Sequence, residues 1–261
     1  MIRHKSVDSL DSRLVLSVLV LGLVAWLVSV AVMNGMAMDG RYALGAPVAF
    51  LGAWVLMMAA MMFPSVWPAL VVHGRVLARR AATGRVEPGR GAAFVSGYLL
   101  SWTAYGVAAF VVVAASRDAL SGVSDRDLAR YVVAPIAIAG ATYQAAPLKR
   151  LCLKHCRTPM FWIAEHWREG IRGSLRMGVE HGCFCVGCCW LLMGLMVAAG
   201  AMSIAWMALI AVAIALEKLL PISTRAASSV IAAGFLVVAV IAVADPSLLP
   251  GFSDGRKPMS M

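Results

Sequence analysis

Seven apolar stretches of membrane-spanning length constrain the fold of this chain more than any other feature. Each is close to the ~20 residues that a helix needs to cross a bilayer. Because lipid offers the backbone no hydrogen-bonding partner, each stretch is predicted to be a helix. The fourth is the weakest prediction, since it carries Pro135 and Pro147. The seven cover residues 14–33, 46–72, 92–115, 129–147, 174–199, 203–220 and 226–244.

The composition agrees with a membrane protein. The 261 residues are 61% hydrophobic and 14% charged, which is too little polar surface to cover one soluble core. A net charge of +10 would suggest nucleic acid as the partner of a soluble protein, but these basic residues lie in short loops between apolar stretches. We therefore predict an all-α polytopic transmembrane bundle of about seven helices, with the lipid bilayer and not nucleic acid as its partner. Residues 1–261 are predicted to form one integral membrane domain, ending in a short polar tail at 245–261.

Loop charges predict the orientation of the helices. The segments 73–91 and 148–173 are rich in Arg and Lys, and two apolar stretches separate them, so both are predicted to be cytoplasmic. The N-terminus then also lies inside, and the segment 34–45 lies outside. The first apolar stretch is longer than the core of a typical signal peptide, so it is predicted to be retained as a helix.

Residues 159–173 predict an amphipathic helix lying on the membrane surface. Charged and apolar side chains recur there on opposite sides at helical spacing. The charged side holds Glu165, Arg168, Glu169 and Arg172, and the apolar side holds Met160, Ala164, Trp167 and Ile171.

The densest group of metal-ligating side chains opens the fifth apolar stretch, in the sequence EHGCFCVGCCW from Glu180. At 100° per residue, His181, Cys185 and Cys188 fall within about 60° of one another, and Cys183 points to the opposite side. Thiolates, imidazole and thioethers on one helical face suit Cu(I), with Zn(II) as the alternative. Buried Cys and Met also serve as ordinary packing residues, but four cysteines within seven residues favour a metal site. The predicted ligands here are His181, Cys185, Cys188, Cys189, Met193 and Met196.

A second group follows the fourth stretch. If this segment is helical, Cys152 and Cys156 share a face at i, i+4, and His155 neighbours Cys152 at i, i+3, which makes a plausible half-site. A reduced dithiol without metal is the alternative. Both groups lie toward the predicted cytoplasmic side, so a single site between the fourth and fifth helices is a further hypothesis.

Methionines and buried charges complete the candidates. Met33, Met36 and Met38 lie at the predicted outer end of the first helix, where thioethers can capture Cu(I) without losing a proton. The methionines of the second stretch are predicted to pack in the core. Glu217 lies near the inner end of the sixth stretch, where a charge needs a partner; it is predicted either to pair with an arginine or to orient His181.

Several enzyme classes find no support in the sequence. No phosphate-binding glycine loop, G-x-S-x-G elbow, H-E-x-x-H pair or c-type haem motif is present. Whether the protein is an enzyme is left open.

Five stretches carry a resemblance to a known family. They are 54–64 (WVLMMAAMMFP), 143–159 (YQAAPLKRLCLKHCRTP), 166–167 (HW), 181–193 (HGCFCVGCCWLLM) and 200–218, which ends in Glu-Lys. Together they resemble a bacterial family of unknown function described as predicted metal-binding integral membrane proteins. Cys183 departs from the pattern, because the family usually has an apolar residue there. The resemblance implies metal binding and a multi-pass protein of the bacterial inner membrane, but no reaction.

Three functions remain open, in this order. The first is copper handling, in which Cu(I) is delivered to a copper-dependent membrane or periplasmic protein or is exported. The second is a membrane thiol-redox enzyme or accessory, whose cysteines cycle between dithiol and disulfide. The third is a non-catalytic assembly subunit whose cysteines only pack. Stoichiometric metal favours the first, and serine substitutions without effect favour the third.

Overall fold

A computed structural model describes residues 2–35, 47–81, 87–120, 122–200, 204–220, 223–250 and 252, with side chains in the first helix only over 16–32. Throughout this part of the chain the regular structure is helical. The predicted outer methionine side chains, at Met33, Met36 and Met38, lie outside the described set. The helices are α1 (Ile2–Gly35), α2 (Pro47–Ala81), α3 (Arg90–Leu120), α4 (Asp125–Leu128), α5 (Ala134–Gln144), α6 (Pro147–Arg157), α7 (Pro159–Glu165), α8 (Gly170–Gly200), α9 (Ile204–Leu219) and α10 (Thr224–Ala244). A π-helical turn, Ala129–Val133, joins α4 to α5, and a 3-10 turn, Pro246–Leu248, follows α10.

The predicted class, an all-α multi-pass membrane protein, is confirmed. Among the described residues, four helices are long and apolar enough to cross a membrane, and a bent pair makes a possible fifth. Each of the seven predicted stretches holds a helix, but α9 has only 16 residues and the described apolar part of α1 is also short. Among the described residues, the number of full-length spans is therefore smaller than the number of apolar stretches. The four are Pro47–Ala81, Arg90–Ser116, Gly170–Ala199 and Thr224–Ala244.

The bent pair lies where the sequence prediction was weakest. The helical segments 125–144 and 147–157 meet at an angle of 70°. Pro147 begins α6, and the residue before a proline is disfavoured in helical conformation, so the chain turns at Ala145 and Ala146. Pro135 causes no such break, because it lies at the start of α5.

The predicted surface helix over 159–173 is interrupted. The first part, α7, ends at Glu165, and α8 begins only at Gly170. Gly170 has a φ of +76°, a left-handed conformation that glycine adopts readily and that ends helical propagation. The helical spacing of charges seen in the sequence therefore spans two helices and the turn between them.

The second helix continues through Pro64 and Pro68. Its methionines are buried, as predicted for packing residues, at Met57, Met58, Met61 and Met62. α1 packs along α2. The indole N–H of Trp54 donates to the backbone carbonyl of Trp102 on α3 at 2.9 Å, which ties α2 to α3.

The described residues group into two compact units. The first takes described residues within 1–36, 47–107 and 151–188, and the second takes described residues within 108–150 and 189–261. The boundary falls inside the unbroken helix α8. The prediction of a single domain stays a prediction.

In the first unit, small residues bring α3 and α8 into close contact. A Cβ atom on Gly97 would lie 2.1 Å from the carbonyl oxygen of Leu175, and one on Gly178 would lie 2.0 Å from that of Phe94. One on Gly182 would lie 2.7 Å from the hydroxyl of Ser101. The backbones approach closely because these positions lack side chains, which is how small residues act in membrane helix packing. The contact fixes the part of α8 that carries the cysteines.

Candidate metal centre

Three cysteines on α8 gather their thiols into one buried group. The Sγ atoms of Cys185, Cys188 and Cys189 all lie within 4.8 Å of one another, and the side chains are 0%, 1% and 2% exposed. Spacings of three and four residues place side chains on the same helical face. The thiol of Cys188 donates to the backbone carbonyl of Cys185 at 3.1 Å. The group has the size and donor type that a soft metal ion requires.

A tyrosine from α3 lies against this group. The hydroxyl of Tyr98 is 3.1 Å from the Sγ of Cys185, within hydrogen-bonding distance, and Tyr98 is 1% exposed. Sequence analysis missed this residue, because nothing in the local sequence of α3 indicates which part of α8 it faces.

The short helix α6 brings two more thiols to α8. The Sγ of Cys156 lies 4.0 Å from the Sγ of Cys188. The Sγ of Cys152 would lie only 2.8 Å from a Cβ atom at Gly187, so the missing side chain there lets this thiol reach the α8 backbone. The two sequence groups therefore approach each other at these residues, while the hypothesis that they form a single site stays a prediction. Gly187 was not singled out from the sequence, although it lies inside the cysteine motif.

His155 is fixed between backbone and aromatic contacts. Its ring stacks on Phe184 of α8, with centroids 4.3 Å apart and planes 5° from parallel. Its Nδ1 lies 2.8 Å from the carbonyl oxygen of Leu151. When Nδ1–H donates this bond, Nε2 is the nitrogen with a lone pair for a ligand.

His181 lies in an aromatic environment apart from the thiol triad. It is 1% exposed, and its ring centroid is 5.4 Å from that of Trp162, 6.1 Å from Phe94 and 6.2 Å from Tyr98. The group of close ligand atoms on α8 includes the three cysteines but not His181. Its role as a ligand stays a prediction.

Of the remaining candidate residues on α8, the two methionines are buried and one cysteine is exposed. Met193 and Met196 are fully buried on the next turns of the helix, and their role as thioether ligands also stays a prediction. Cys183 is exposed, as its position on the opposite side of the helical wheel predicted.

The acidic residue at the start of the motif pairs with arginines. Glu180 accepts hydrogen bonds from Arg168 at 3.2 Å and from Arg176 at 3.0 Å. In the turn between α7 and α8, Glu169 pairs with Arg80 and Arg90. Hydrogen bonds from the Trp167 indole and from Arg90 hold the pKa of the Glu169 carboxyl below its ordinary value. The Glu169 pairs attach the turn before α8 to α2 and α3.

A buried ion pair lies within the second unit. The ammonium of Lys149 is 2.9 Å from the Glu217 carboxylate, and these side chains are 0% and 2% exposed. The hydroxyl of Ser228 donates to the other carboxylate oxygen at 3.2 Å. Glu217 therefore pairs with a lysine, not with an arginine as predicted. The loop charges placed Lys149 in the basic segment 148–173, whereas the structure buries it on α6, directly after the chain bend at Pro147.

These features define a multi-pass membrane protein with a buried cluster of thiols suited to a soft metal. Residues 51–242, most of the chain, match the family described as PpoB2, copper chaperone, and the protein belongs to this family. The resemblance seen in the sequence, to predicted metal-binding membrane proteins, is thereby made specific to copper. No curated protein sequence and no solved structure matches the chain significantly.

Proposed function

We propose that the protein holds Cu(I) as cargo on the thiols of Cys185, Cys188 and Cys189 and passes it to a copper-dependent protein. Membership of the copper-chaperone family gives the cargo, and the close approach of the three buried Sγ atoms is the observation that carries the assignment of ligands. Thiolates are soft ligands that prefer Cu(I) over the hard cations abundant in cells.

Two further thiols give the cargo a route. Cys156 lies next to Cys188, and Cys152 lies against Gly187, so α6 presents thiols beside those of α8. A copper ion can then exchange one thiolate ligand for another without leaving sulfur coordination. Cys156 is the more accessible of these thiols, because it is half-buried whereas Cys152 and the α8 group are buried. We propose that copper enters or leaves the α8 group through Cys156.

The burial of these cysteines also favours metal-bound thiolates over metal-free thiolates. Thiolates in an apolar interior are unfavourable unless a cation neutralises them, so the thiols release protons when the metal binds. Copper affinity should therefore fall as the pH is lowered. His155, Met193 and Met196 are proposed as additional donors. Zn(II) is the competing ion, because thiolates bind it as well.

The multi-pass fold supports a location of this proposed exchange at a membrane. We propose the bacterial inner membrane, with the N-terminus and the arginine-rich loops in the cytoplasm. The recipient is proposed to be a copper-dependent membrane or periplasmic protein.

A thiol-redox function is the second candidate, and one observation favours it. The 4.0 Å between the Sγ atoms of Cys156 and Cys188 is close enough for a disulfide after a small side-chain movement. The two functions differ in the amount of copper bound per protein. A copper chaperone binds copper when its thiols are reduced, whereas a redox protein needs only the dithiol and no metal.

Copper content of single variants tests the proposal. The full chain is purified anaerobically from copper-supplied cells, and copper and zinc are measured per protein. Cys185→Ser and Cys188→Ser should lose most of the copper, while the exposed Cys183→Ser is a matched control that should retain it. Cys152→Ser and Cys156→Ser should lose copper only if they share the ion. Equal copper in wild type and Cys185→Ser, with both monodisperse, would contradict the proposal.

A further inference from the structure

A cavity in the second unit lies between the α5–α6 bend and the beginning of α10. Its volume is about 290 Å³, near the lower end of the range for small-molecule sites. Its polar lining comes from Gln144, Arg150, Thr224, Arg225, Ser228 and Ser229. None of these residues belongs to the cysteine groups, so the copper function does not account for the cavity.

The outer part of the cavity is cationic. Arg150 and Arg225 both line it and are exposed, and neither forms an ion pair with any carboxylate among the described residues. Guanidinium groups match the geometry of phosphate oxygens and bind them with paired hydrogen bonds.

The beginning of α10 adds to this positive potential. Thr224 and Arg225 lie in the first turn of a helix of 21 residues, where the helix dipole favours an anion. Ser223 caps the helix by accepting from the N–H of Ala226.

The inner part of the cavity presents hydrogen-bond acceptors, whereas the outer part presents cationic donors. Gln144 is 4% exposed, and its side-chain carbonyl oxygen, Oε1, is buried without a hydrogen-bond partner among the described residues. Ser228 uses its hydroxyl hydrogen on Glu217, so its oxygen offers lone pairs to the cavity. A buried acceptor without a donor is unfavourable, so this wall favours a ligand that carries O–H groups.

We propose that this cavity binds a phosphate ester that carries hydroxyl groups, of the glycerol-phosphate type. The phosphate lies between Arg150 and Arg225 at the first turn of α10, and a hydroxyl of the same ligand donates to Gln144. An anionic lipid headgroup and a soluble glycerol phosphate both have this chemistry. Basic pockets between membrane helices bind such headgroups where helices meet the cytoplasmic surface. The loop charges predict this side for segment 148–173, which holds Arg150, and, two apolar stretches later, for the loop that holds Arg225.

The first experiment measures lipid binding to the full chain in detergent by native mass spectrometry. Phosphatidylglycerol should bind at least about tenfold more tightly than phosphatidylcholine. Arg150→Gln with Arg225→Gln should remove this preference. Arg172→Gln is the matched control, because Arg172 is an exposed basic residue outside the cavity, and it should retain the preference. Equal binding of the two lipids, or equal losses in the control, would overturn the proposal.

A second variant tests the hydroxyl contact separately from the charge. Gln144→Leu should weaken phosphatidylglycerol binding but leave binding of phosphatidic acid, which has no headgroup hydroxyl beyond its phosphate, unchanged. An unchanged ratio of the two lipids would overturn the inner contact. The relative affinity of glycerol phosphate in solution identifies the source: tighter binding of glycerol phosphate than of phosphatidylglycerol supports a soluble ligand, and tighter binding of phosphatidylglycerol supports a lipid headgroup. Copper content is measured in parallel and should not change, so failure here is distinct from failure of the copper proposal.

Discussion

The Sγ atoms of Cys156 and Cys188 lie 4.0 Å apart, although the two residues are 32 positions apart in the sequence. The contact joins the two cysteine groups, one on α6 and one on α8. A disulfide needs an S–S distance of about 2.05 Å, so the thiols are close but not bonded. The same proximity suits two thiolates that share one ion.

Mild oxidation distinguishes how these two thiols are used. In a variant that keeps only Cys156 and Cys188, diamide should form an intramolecular disulfide, measured as the loss of two alkylation sites by mass spectrometry. In the full chain, bound Cu(I) should slow this oxidation by at least about tenfold, because the thiolates are coordinated. Oxidation at the same rate with and without copper would show that these thiols do not share the ion.

Lys149 and Glu217 should stabilise the fold only when both charges are present. Glu217→Gln leaves the Lys149 ammonium buried without a counter-charge, and we expect it to lower the free energy of unfolding by about 3–5 kcal/mol. Replacing both, as Lys149→Met with Glu217→Leu, should cost much less, because no isolated charge remains. Unfolding in mixed micelles measures both. If the double variant is as destabilised as the single one, the ion pair is not the cause.

Glycine at position 178 should be required for the contact between α3 and α8. Gly178→Ala places a methyl group 2.0 Å from the Phe94 carbonyl oxygen, so the helices must separate, at a cost of about 1–3 kcal/mol or more. Gly234→Ala on α10 is the matched control, because nothing lies within 4 Å of its added Cβ atom. The midpoint of thermal unfolding in detergent should fall for the first variant and not for the second. A similar midpoint for both would contradict the close approach.

The orientation of the chain can be read with fused reporters. Reporters placed near Arg80 and Arg157 should give cytoplasmic signals, and one near Met38 should give an external signal, because basic loops stay inside. An external signal at Arg80 would invert the orientation. It would also move the cavity beside Arg225 away from the cytoplasmic surface.

The amino-acid sequence determined those features that depend on neighbours along one helix. Apolar stretches of about 20 residues predicted membrane helices, and Cys185 and Cys188 were placed on one face, because helical periodicity is a local property. The exposure of Cys183 followed from the same periodicity. The proline at 147 indicated the weak point of the fourth stretch for an equally local reason.

Only the tertiary structure decided which surfaces meet. Tyr98 at Cys185, Cys152 at Gly187 and Lys149 at Glu217 are contacts between helices far apart in the chain, and helical periodicity within one segment does not specify its partner. The choice is made by close packing: helices approach where glycines allow it, and a buried charge is stable only beside its counter-charge. His181 shares its helical face with the cysteines, yet its surroundings are set by the aromatic rings that pack against it.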